Sequence, residues 1–130
     1  MPVAEDYRYL VERSRRFYET ALVQIDRRFY DLAAFSLEQA LQLFLKALLL
    51  RLGVDYPRTH SVRRLLELIH QISGRQEVGE LLRRLVLELA LLEDAYVTSR
   101  YVPRDFSKEE VMSLKDAVDE VMRVVGSFVA

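Results

Sequence analysis

The chain of 130 residues carries 19 Lys+Arg against 20 Asp+Glu, 51% hydrophobic residues, no cysteine and no tryptophan. A folded chain of this length removes roughly two-thirds of its surface from water, so a core forms without disulfides or a structural metal. The missing cysteines exclude thiolate zinc sites, thiol nucleophiles and redox pairs, and the net charge of −1 excludes a uniformly basic nucleic-acid binder.

Sixteen of the basic residues are arginine, which favours bidentate recognition of carboxylate or phosphate, or reflects a GC-rich genome. Asparagine is absent, as expected of a thermophile avoiding thermolabile residues. The start Met1-Pro2-Val3-Ala4-Glu5-Asp6 lacks the basic region and apolar run of a signal peptide, so a cytoplasmic location is expected. Only four glycines and three prolines punctuate the chain, too few for repeated hairpins. The expected class is all-α: an up-and-down bundle of four to five antiparallel helices, one domain over residues 1–130.

The first helix is expected from Glu5 to Arg27, with Tyr7, Leu10, Phe17, Ala21 and Ile25 on its buried face. Asp31 reads as an N-cap for a segment from Leu32 to Leu52 that is apolar nearly all round. Only Glu38, Gln39, Gln42 and Lys46 interrupt its body, which marks the central helix of the bundle. Gly53 ends it, and Pro57 holds the next loop open until Thr59, the expected cap of a third helix from His60 to Ser73. Val62, Leu65, Leu66 and Ile69 form that helix's buried stripe. Gly74 and Gly79 read as bracketing a loose connection into one fourth helix, Val78 to Thr98. A loop over Ser99–Phe106, broken by Pro103, leads to Ser107, which with Glu110 spells a capping box. In the last helix, Lys108 to Phe128, Val111, Leu114, Val118, Val121, Val125 and Phe128 alternate at spacings of three and four, predicting an amphipathic helix packed antiparallel on the bundle. The apolar stretch from Leu41 to Leu52 is interrupted by Gln42, Lys46 and Arg51, so no membrane span is expected.

Three groups of residues carry chemistry. Glu38, Gln42 and Lys46 follow one another at spacings of four, with Gln39 beside them. They read first as a solvated face and, as the alternative, as the polar lining of a cleft or subunit interface. Arg58, Thr59, His60, Ser61, Arg63 and Arg64 surround a helix N-terminus, whose unpaired N–H groups attract anions, so a phosphate is one expected occupant. Arg100, Tyr101, Arg104 and Asp105 crowd one short loop, either as a ligand site or as a structural clasp in which Asp105 pairs with Arg104. His60 and His70 lie too far apart along one helix to form a metal pair, and no metal site is expected.

Asp31 ahead of AAFSLEQALQLFLKALLL, then THSVRRLLELI, then SRYVPRDF before a final amphipathic helix, resembles the small prokaryotic HEPN domain proteins from about Val11 to Val125. Gln39, Lys46, Thr59-His60 and Arg100-Tyr101 carry the resemblance most specifically. It implies a homodimeric bundle, without cofactor, that binds a nucleotide or an anionic substrate and accompanies a minimal nucleotidyltransferase. On this reading Lys46 and Arg100 hold phosphate charge and Tyr101 stacks on a base. His60 is a neutral hydrogen-bond partner, Asp105 orients Arg100 or Arg104, and Gln39, Gln42 and Arg104 line the pocket.

Other members of that family are ribonuclease toxins carrying Arg, four to six residues, then His, late in the domain. No histidine follows Arg100 or Arg104 here, so a late nuclease motif is missing. Arg63 and Arg64 do satisfy that spacing with His70, in the third helix and without a polar residue after Arg64. They define the alternative: a metal-independent ribonuclease of a toxin–antitoxin pair, acting on RNA with a site assembled across the dimer. A third reading is a pure interaction module that uses the apolar faces of the first and last helices.

Overall fold

The computed structural model describes the backbone of residues 2–101 and 104–129, and the side chains of residues 5–98 and 104–129. Its elements are α1 (Pro2–Asp26), α2 (Tyr30–Arg51), α3 (Val62–Ser73), α4 (Gln76–Arg84), α5 (Val86–Tyr101) and α6 (Lys108–Val129), and no strand occurs among the described residues. The all-α bundle expected from the sequence is what the chain forms.

The apolar girth of α2 is explained by its neighbours, since it packs against α1, α3, α5 and α6. Its length and hydropathy would suit a membrane crossing, yet 67% of that window is buried inside this fold, where other helices supply the apolar surroundings. Leu37, Leu41, Leu45, Leu48 and Leu49 form the axis of the main core. Gln24 of α1 hydrogen-bonds Ser36 of α2, while Leu10 clusters with Ala47 and Leu50, so the two helices run antiparallel. Ser14 Oγ donates to Ala40 O at 2.6 Å between them.

The turn between α1 and α2 differs from the expectation of an Asp31 cap. Phe29 N reaches Gln24 O at 2.8 Å and Arg28 adopts φ 63, so a left-handed residue reverses the chain and α2 starts at Tyr30. Phe29 stands at the N-cap without a side-chain cap, and Asp31 falls in the first turn, where its charge still favours the positive helix end. Gly53 makes the corresponding turn after α2, with φ 82 and Val54 N bonded to Leu49 O at 3.0 Å.

The third helix begins two residues later than expected. Ser61 is its N-cap, accepting from Arg64 N at 3.1 Å, while Thr59 accepts from Ser61 N; this leaves His60 in the loop before the cap. Gly79 lies inside α4, not in a loose connection, and the expected single fourth helix is interrupted at Leu85, which has φ −102 and ψ 22. Leu85 N still bonds Leu81 O and Leu89 N still bonds Leu85 O, so the interruption is one residue wide. Ser107 and Glu110 form the reciprocal capping box, at 2.9 and 3.1 Å. Behind it Val111, Leu114, Val118, Val121 and Val125 are buried as their spacing requires.

Candidate functional site

The polar stripe of α2 is an interior feature, which overturns its reading as a solvated face: Glu38 is 0% exposed and Gln42 4%. A carboxylate in that setting requires hydrogen bonds to stay in the fold. Gln39 Nε2 donates to Glu38 Oε1 and Gln42 Nε2 to Glu38 Oε2, each at 2.8 Å. The other end of the Gln42 amide faces the opposite way. Its Oε1 accepts from Lys46 Nζ at 2.9 Å and lies 3.5 Å from His60 Nδ1. Spacing of four along α2 makes this chain geometrically natural, because each side chain sits one turn above the last.

Burial pushes the Glu38 carboxyl from its ordinary 4.5 up to about 7, against the hydrogen bonds from Gln42 and Gln39 and the charge of Lys46; Glu93 adds to the rise. Burial also lowers the Lys46 ammonium, and the Glu38 charge opposes that shift. The Lys46 Nζ stands 5.3 Å from the centre of the Tyr56 ring, so one face of the cation is held by an aromatic surface.

The N-terminus of α3 is already occupied from within the chain, which corrects the expectation of a phosphate there. Glu93 of α5 accepts a hydrogen bond from Ser61 Oγ and another from Arg63 N at 3.3 Å, placing its carboxylate where an anion would sit. Next to this lock His60 stacks on Tyr96, with centroids 4.4 Å apart and planes 20° from parallel, and Phe35 stacks on Tyr96 at 6.3 Å. The loop before α3 is thereby fixed to both α2 and α5.

Of the residues singled out in the sequence, the structure brings Gln39, Gln42, Lys46 and His60 together. Arg100 and Tyr101 close α5, and their side chains lie outside the described residues. Arg104 sits elsewhere: it pairs with Asp94 at 2.9 Å and Glu110 at 3.2 Å and covers the Phe106 ring at 4.2 Å. Those carboxylates take the place expected for Asp105, which is exposed. Arg104 is therefore a clasp between α5 and α6. Arg63 and Arg64 are exposed in the first turn of α3, whereas His70 lies about 10 Å farther along the axis, against Gly79 of α4. Among the described residues no three His, Cys, Asp or Glu side chains assemble as a metal set.

Glu93 and Tyr96 were not legible as site residues from the periodicity of α5 alone. Their signal is the spacing of three between Glu93 and Tyr96, which puts both on the side of α5 that meets Ser61 and His60.

A family model described as HEPN domain matches residues 7–128. Comparison with individual curated proteins and with solved structures gives no match.

Proposed function

The chain belongs to the HEPN domain family, and from that premise we propose that it is an accessory, non-catalytic member that binds a nucleotide or another phosphate-bearing ligand beside α2. The observation that carries this reading is the convergence of Lys46 Nζ and His60 Nδ1 on one oxygen, Gln42 Oε1, at 2.9 and 3.5 Å. A cation and an imidazole are thus pre-positioned at the end of a buried polar chain. A purely structural core helix has no need of a fully buried carboxylate, and such groups concentrate at functional sites.

On this reading Lys46 and Arg100 meet the phosphate charge, His60 adds a hydrogen bond and Tyr101 supplies a stacking surface. The protein acts in the cytoplasm as a homodimer beside a minimal nucleotidyltransferase, in keeping with its family. The exposed Val23, Phe29, Leu32 and Val97, on α1, the α1–α2 turn, α2 and α5, offer apolar surface for such contacts.

The test is a thermal-shift series with ATP, GTP, AMP and a short RNA, run on the wild type, Arg100→Ala and Lys46→Ala. A dose-dependent upward shift with a nucleotide, lost in both variants while their own melting temperatures stay within a few degrees of wild type, is the expected result. Absence of any shift, or a shift that survives both substitutions, overturns the assignment.

A further inference from the structure

We infer that an anion seated on Lys46 and His60 draws a proton onto Glu38, so that this site holds phosphate-bearing ligands more tightly in acid than in alkaline solution. This rests on the ligand site proposed above and assigns it a proton-linked regulation.

The geometry leaves one amide between the ligand-facing cation and the buried carboxylate. Lys46 Nζ bonds Gln42 Oε1 at 2.9 Å, and Gln42 Nε2 bonds Glu38 Oε2 at 2.8 Å. Glu38 is fully buried, so the field of Lys46 reaches it with little screening by solvent or salt. Lys46 favours the ionised carboxylate. From α5 Glu93 opposes ionisation, and from the loop before α3 His60 meets the same Gln42 oxygen. Among the described residues of α1 and α6 no charged side chain hydrogen-bonds the Glu38–Gln42–Lys46 chain.

A phosphate placed against Lys46 offsets a charge that stabilises the carboxylate and adds negative charge to its surroundings. Both effects favour the neutral acid. The protonated form has somewhere to donate, since the half-buried Gln39 side chain can turn its amide to present oxygen in place of nitrogen to Glu38 Oε1. By linkage, uptake of a proton on binding means that affinity falls as the solution becomes more alkaline.

The experiment is isothermal titration of the intact protein with ATP in chelator, at about pH 6 and about pH 8, using the wild type, Glu38→Gln and His60→Gln. Titration of ATP itself is common to all three proteins and cancels in the comparison. In the wild type Kd is expected to rise about five-fold or more from the acid to the alkaline condition, beyond the change seen in Glu38→Gln. His60→Gln is expected to bind more weakly at both pH values while keeping the wild-type ratio between them. Repeating the wild type near neutrality in buffers of different ionisation enthalpy is expected to show net proton uptake, a readout independent of any variant's folding. A pH dependence equal in wild type and Glu38→Gln, or one lost in His60→Gln, overturns the inference while leaving the ligand site intact. Failure of ATP to bind any of the three overturns both.

Discussion

The His70 ring of α3 lies directly on Gly79 of α4: a Cβ at position 79 would stand 3.1 Å from both Cε1 and Nε2 of the imidazole. In α6, by contrast, a Cβ on Gly126 would meet Phe44 Cζ at 3.4 Å, an ordinary contact. Both glycines are helical, so alanine at either gains up to about 1 kcal/mol of helix preference. Gly126→Ala is expected to stabilise by about 0.5–1 kcal/mol, while at Gly79 the gain is consumed by displacing the imidazole. A double-mutant cycle checks this: in a His70→Ala background Gly79→Ala should recover the missing stabilisation, and additive effects would refute the contact as its cause.

Glu38 makes stability fall with rising pH. Its carboxyl titrates near 4.5 when unfolded and near about 7 when folded, so the neutral form's contribution is complete below the first value and lost as pH rises through the second. The loss approaches about 3 kcal/mol once both states are ionised. Glu12 and Glu120, held low by hydrogen bonds from Arg15 and Arg84, titrate below this window. Urea unfolding across the window should therefore show declining stability in the wild type and a flatter profile in Glu38→Gln; parallel profiles would count against burial as the source.

Arg28 occupies a left-handed conformation, φ 63, at the close of α1, and its side chain is exposed. A residue with a Cβ is disfavoured there by about 1 kcal/mol relative to glycine. Arg28→Gly should raise the unfolding free energy by about 0.5–1 kcal/mol, and Arg28→Val should lower it. Thermal unfolding of the two variants, read with opposite signs, is the check.

Ser107→Ala removes the acceptor for Glu110 N and leaves the box with only its return bond, from the Ser107 backbone N–H to the Glu110 carboxylate. The expected loss is about 1 kcal/mol, or a melting temperature lower by about 3–5 °C. Ser107→Asp should restore most of it, because a carboxylate caps the same amide and suits the positive end of α6.

What the sequence disclosed follows from how local each cause is. The seam Val111, Leu114, Val118, Val121 and Val125, the box of Ser107 with Glu110, and the turn at Gly53 are set by a few neighbouring residues, so spacing alone reveals them. The interruption at Leu85 has no such mark: neither proline nor glycine adjoins it, and leucines continue on both sides. Asp31 and Thr59 are sound cap residues displaced by tertiary structure, one by the left-handed Arg28 turn and the other by the lock of Ser61 onto Glu93. For the site, Lys46, Gln42 and His60 were legible as residues. Their common oxygen was not, because burial of the stripe depends on α3 and α5, whose docking no single-helix period records.

The enclosure of α2 also sets a hazard during synthesis. When ribosomes have released only α1 and α2, the antiparallel pair covers one flank of a helix whose other sides await α3, α5 and α6. Leu41, Leu45 and Leu49 then stand ready to join any other greasy surface, and the last of their cover comes from Val118, Val121 and Val125 of α6. Chains cut short before α6 should therefore accumulate as clumps or be held by chaperones, and synthesis must pass α6 before the most oil-like segment of this fold is out of reach.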